Sequence, residues 1–123
     1  MSSLDVRSAS ETDRKTVIAV ITMAFATDPM ARWTFPDPAT YLSVMPEVAS
    51  AFGGNGFAHG AAHLIAGGLG AAMWLPPGVT PDNERLAALT EEHGPADRQD
   101  EMTQIFEQME RYHPSDPCWY LPL

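Results

Sequence analysis

Eleven prolines in 123 residues set the outer limits on what this chain can fold into. Proline has no backbone N–H and holds the residue before it out of the α region. Asp28-Pro29 therefore ends a first helix, and Pro76-Pro77-Gly78 closes a strand. Gly94-Pro95 stops a later helix, and Pro114-Ser115-Asp116-Pro117 forces a turn. Between these breaks only short elements fit. Pro46 falls inside an otherwise helical stretch, where it costs about 3 kcal/mol and kinks the axis, so a bend or a split is expected there.

The stretches between breaks carry readable periods. Leu4 to Ser8 alternates apolar and polar residues, as a short strand does. Ser10-Glu11-Thr12-Asp13 has the form of a helix start, with Ser10 as N-cap and Asp13 placed to answer it. Val17, Ile18, Ile21, Ala24 and Phe25 then recur at helical spacing and form one apolar face. Met30 to Pro38 reads as a loop with a dense aromatic cargo. A second helix is expected from Pro38 to Phe52, with Tyr41, Met45, Val48 and Phe52 sharing a face. Gly53-Gly54-Asn55-Gly56 reads as a turn. Phe57 to Ala66 and Gly70 to Leu75 read as two strands of a hairpin joined at Gly67-Gly68. Helices are expected from Pro81 to His93, with Leu86 and Leu89 inward, and from Asp97 to His113. In the latter, Met102, Ile105, Phe106, Met109 and Tyr112 make the clearest apolar stripe of the chain. The final run, Cys118-Trp119-Tyr120-Leu121-Pro122-Leu123, reads as the opening of a buried strand that lacks a neighbour on one side. The expected order is β-α-α-β-β-α-α-β. It describes one domain over residues 1–123, of α/β or α+β class, with a mostly antiparallel sheet and helices packed on it.

Charge narrows the partners. The net charge is −9, and it is uneven: residues 81–123 hold ten acids against three Lys/Arg. This opposes binding to phosphate backbones, so no nucleic-acid partner is expected. It fits either a solvated acidic face or an affinity for a cationic small molecule. Val48 to Thr80 is uncharged but full of Gly and Ala and broken by Pro76-Pro77, so no membrane span is expected. Met1 to Asp5 carries neither a basic nor an apolar leader segment, and Cys118, the single cysteine, can form no internal disulfide. A cytoplasmic location is the expectation.

Three segments carry a family resemblance. They are Ala24-Phe25-Ala26-Thr27-Asp28-Pro29, Ala71-Ala72-Met73-Trp74-Leu75-Pro76-Pro77-Gly78, and His113-Pro114-Ser115-Asp116-Pro117-Cys118-Trp119-Tyr120-Leu121. In this order and at these separations the chain resembles the N-terminal half of a GNAT-superfamily N-acetyltransferase, of the kind that acetylates puromycin. The resemblance implies an acyltransferase that moves an acetyl group from acetyl-CoA to a small amine. It also implies a truncated chain: in the family the fourth strand runs into a Gly-rich loop and a helix that hold the coenzyme A pyrophosphate. Gly53-Gly54-Asn55-Gly56 and Gly67-Gly68-Leu69-Gly70 do not have the strand–loop–helix setting of such a loop. Acetyl-CoA is thus the cofactor of the family, expected not to bind this chain alone.

By the same resemblance, the stretch after the first helix lines the acceptor pocket. Asp28, Arg32, Trp33, Phe35 and Asp37 are then the acceptor candidates, an Asp holding a cationic amine and the aromatics stacking on it. Alternatively, Trp33 and Phe35 plug the top of the core. Trp74 and Tyr120 are further acceptor candidates; Trp74 also suits a core position, and the family's thiolate acid lies later than Tyr120. Leu121 and Leu123, at the start of the fourth strand, are the positions expected to approach the cofactor. The catalytic residues are unassigned. His59 and His63 lie four apart but in a Gly/Ala-rich strand reading with no third ligand nearby, so no metal site is expected. A second class of function stays open. The uncovered terminal strand would recruit a partner or a second copy, making the chain a binding or dimerisation module; in a third reading the chain completes a full enzyme by pairing with a separate C-terminal fragment.

Overall fold

The computed structural model describes residues 4–123. It is an α+β fold: a three-stranded antiparallel sheet in the order β1-β2-β3, with helices packed on it. The strands are β1 (Val6–Ser8), β2 (Ala62–Ile65) and β3 (Ala71–Met73). The helices are α1 (Arg14–Ala24), α2 (Pro29–Thr34), α3 (Pro38–Gly53), α4 (Asn83–His93) and α5 (Gln99–Tyr112).

The start of α1 follows its sequence signal with one refinement. Glu11–Asp13 forms a 3-10 turn, and the Asp13 carboxylate accepts the Ser10 N–H at 3.0 Å. Arg7 on β1 grips the same carboxylate at 2.8 Å, tying strand to helix. Val17 and Ile21 point from α1 into the sheet, where they meet Ala49 of α3 and Ala62, Leu64 and Met73 of the sheet. β2 alternates buried and half-buried residues, as a strand with one covered face does. Ala24, expected on the buried face of α1, is exposed at the last position of the helix.

α3 runs unbroken from Pro38 to Gly53, with Pro46 inside it. Of the two outcomes expected at Pro46, a bend or a split, the split does not occur. Tyr41, Val44, Met45 and Ala49 are all buried along this helix. Burial of one face outweighs the lost hydrogen bond, because helices in proteins hold chiefly by tertiary packing. A second apolar cluster forms where Phe35, Tyr41, Val44 and Met45 receive Leu89 of α4.

The hairpin turns at Gly67 and Gly68, which adopt φ of 77° and 73°. Only glycine takes two such angles in succession at little cost. The first strand of the hairpin is shorter than expected. Gly54–His59 forms a 3-10 turn instead of strand, leaving β2 to begin at Ala62. Gly56 sits there with its α-carbon against the Trp74 carbonyl, a site with no room for a side chain.

Two departures change the element order. Met30 to Pro38, expected as loop, contains helix α2. The final run is not a regular strand but pairs with the chain just after β3 through one antiparallel bridge, Leu75 to Tyr120. Its bonds are Leu75 N–H to the Tyr120 carbonyl (2.7 Å), Tyr120 N–H to the Leu75 carbonyl (2.9 Å), and Met73 N–H to the Leu123 carbonyl (2.9 Å). Pro122 within the run supplies no N–H and interrupts a continuous ladder.

Candidate functional site

The corner around α2 holds five of the candidate acceptor residues, and it is built mainly from internal contacts. Asp28 caps α2: its carboxylate accepts the Ala31 N–H at 2.9 Å. Asp37 caps α3 in the same way, accepting the Thr40 N–H at 2.9 Å and the Thr40 hydroxyl at 3.1 Å. These bonds hold the Asp37 carboxyl below its usual range, Thr40 contributing most. Each carboxylate is thus engaged at a helix start, where the helix dipole also favours negative charge.

The other three are also occupied. Phe35 is 2% exposed and lies in the second cluster, so its ring is core. Arg32 donates to the Ala26 carbonyl at 3.1 Å and the Pro36 carbonyl at 2.9 Å, and lies over the Tyr41 ring. Its Nε is buried with no hydrogen-bond partner among the described residues. Trp33 is half-buried, and the guanidinium of Arg98 lies 5.5 Å from its ring centre and donates to its carbonyl. The cation over this aromatic ring comes from the chain itself. Arg98 stands 65 residues away, and no spacing or motif pointed to it. Tyr41 is the other residue that sequence reading missed here: its hydroxyl donates to the buried Thr22 carbonyl at 2.6 Å, joining α3 to α1.

Trp74 and Tyr120 lie apart from that corner. Trp74 is half-buried next to the bridged position Leu75. Tyr120 is half-buried too, with the His113 ring edge-on at 4.9 Å and Phe52 at 6.2 Å. Burial pushes its phenol up from the ordinary value, so the neutral hydroxyl persists through the physiological range. Leu123 packs against the first core cluster, whereas Leu121 and Trp119 are exposed.

The described residues do not fit the pyrophosphate of coenzyme A. A phosphate site at a helix start needs free N–H groups and an uncompensated positive dipole end. Here an acid stands at the N-cap or in the first turn of each α-helix: Asp13, Asp28 and Asp37 at the N-caps of α1, α2 and α3, Asp82 and Glu84 at the N-cap and first turn of α4, and Asp100 and Glu101 in the first turn of α5. Neither glycine-rich segment opens an α-helix. Five of the seven cationic side chains are already engaged: Arg7, Arg14 and Arg85 with carboxylates, Arg32 and Arg98 with carbonyls.

Two hollows remain. One, of about 260 Å³, lies between α3 and the start of α4; its walls include the Arg85–Glu47 ion pair, Arg14, Ser50, Asn55 and Asp82. The other, of about 630 Å³, runs along α5 and is lined by that helix alone, so it has no facing wall. No group of three or more metal-ligating side chains occurs among the described residues, and no helix there is long and apolar enough to cross a membrane. No family model matches this chain, and no curated protein matches it.

Proposed function

We propose that residues 1–123 are the acceptor-side half of a GNAT-like N-acetyltransferase of small amines, and that they bind no acetyl-CoA unaided. One observation carries this reading. Two of the three segments that bear the resemblance, 71–78 and 113–121, lie side by side and meet at the Leu75–Tyr120 bridge. The run after the bridge borders the sheet as a fourth antiparallel rung, as the fourth strand of that family would. Acetyl transfer needs an amine held against the thioester, donors at the developing oxyanion and an acid for the thiolate. The described residues offer carboxylates and aromatic rings on the amine side only. The rest would come from residues beyond these or from a second fragment.

Calorimetry with acetyl-CoA tests the proposal. No binding up to millimolar ligand, and no acetyl-CoA-dependent turnover of polyamine or aminonucleoside acceptors, is the expected result. Micromolar binding, or turnover, overturns it. A second reading, a non-enzymatic binding or dimerisation module, is favoured by the outer margin of the terminal run. Trp119 and Leu121 are exposed there, and no strand pairs with that margin among the described residues. A dimer in sedimentation that dissociates on shortening this run would favour the second reading.

A further inference from the structure

We infer that the apolar stripe of α5 is a docking face for a basic amphipathic helix supplied by another protein. Met102 alone of the stripe is buried, at 1% exposure. Ile105 is half-buried, and Phe106, Met109 and Tyr112 are exposed, Tyr112 at 82%. A helix of this length that buries a single side chain gains little from its own body, since helices are held mainly by packing of an apolar face. The missing cover is therefore sought outside the described residues.

The rim of the stripe names the occupant. Residues three and four apart are neighbours on a helix. Glu101 lies one turn before Ile105 on one flank, and Glu110 lies one turn after Phe106 on the other. The remaining flanking positions are Gln99, Thr103 and Gln108, which are neutral, and Arg111 stands on the far face. Each edge of the stripe carries an acid, with no base on either flank. Such a surface takes a helix whose apolar stripe is bordered by Lys or Arg. A second copy brings the same acidic rim and a net charge of −9, and an anionic bilayer brings charge of the same sign. This face is distinct from the Leu75–Tyr120 bridge on which the acyltransferase reading rests, and each stands or falls alone.

The test titrates the whole chain with two synthetic amphipathic helices that share a leucine stripe, one flanked by lysines and its twin by glutamates. The lysine peptide should bind at least about tenfold more tightly than the twin, with the preference shrinking as salt rises. Phe106→Ser with Met109→Ser should abolish binding while leaving the melting temperature in place. Glu101→Lys with Glu110→Lys, which leaves the stripe intact, should reverse the preference. Failure of the lysine peptide to bind overturns the inference, as does equal binding of both peptides. So does self-association of the chain that Phe106→Ser removes, or stronger binding to anionic vesicles than to the lysine peptide.

Discussion

Helices α3 and α5 carry the same kind of apolar stripe and meet opposite fates. On α3, Tyr41, Val44, Met45 and Ala49 are buried between the sheet side and α4. On α5, Met102 near the N-terminal end is buried, Ile105 is half-buried, and the rest of the stripe faces solvent. Sequence period alone is silent on this difference. It specifies which face of a helix requires cover, but not whether that cover is supplied within the same chain. α3 even tolerates an internal proline, because both of its neighbours lock the face that matters. α5 has no such flaw in its sequence and is nevertheless the less anchored of the two.

The comparison can be broken most sharply at Leu89, the α4 side chain buried against α3. Leu89→Ala should destabilise the chain by about 2–5 kcal/mol, measured by urea denaturation. A change below 1 kcal/mol on the order of a surface substitution would show that the α3 corner is as loosely held as α5. Gly56→Ala should cost about 1–3 kcal/mol, because the new methyl meets the Trp74 carbonyl and backbone must shift. The same melt checks it. Asp28→Ala should cost about 1 kcal/mol through loss of the α2 cap; an unchanged midpoint would free Asp28 for the amine contact that the resemblance implies.

Acid sharpens the contrast further. The carboxyls of Asp13, Glu11 and Asp37 are held below their usual range, by Arg7, Arg14 and Thr40 first in each case. Their folded values lie below the unfolded ones, so their stabilisation is present above about pH 4 and fades as pH falls through and below it. All three lie at the surface of the body, beside the starts of α1 and α3. Melts at falling pH should therefore show a drop that Arg7→Ala makes shallower; identical profiles for the two proteins would remove the Arg7–Asp13 pair from the account. The smallest effect is expected at Met109. Met109→Ser should leave stability within about 0.5 kcal/mol, because the side chain is exposed.

Most of the body was legible because local signals and tertiary demands agree there. The Gly67-Gly68 hairpin and the stop at Gly94-Pro95 appear as the sequence suggests, and Val17, Ile21, Tyr41 and Met45 are buried as their spacing implies, although Ala24 is exposed and Val48 and Phe52 are half-buried. Other features did not. α2 is only six residues long, between Asp28 and Phe35, too short to show a period. Asp28 was read as a helix stop, and it both follows α1 and caps α2. The 57–61 stretch looked like strand because Phe57 and Ala61 are apolar, yet both are buried from a 3-10 turn and the link after it. At the candidate site, the residue types were visible but their partners were not. Nothing local links Trp33 to Arg98, or Tyr41 to the Thr22 carbonyl, because those contacts exist only once the helices are packed.

The three bonds that hold the terminal run to the sheet have a consequence on the time axis. Only one amide of the run, that of Tyr120, donates across to β3's side. Held by so few bonds, the run is a latch, expected to open without melting the body beneath it, since weakly held margins open at a small fraction of the global free energy. In deuterium the Tyr120 amide should exchange ahead of those in β2. Each opening also bares the Met73 and Leu75 N–H groups. For that moment an interior rung becomes a template for any passing strand, and the lifetime of the latch sets how often the protein is adhesive.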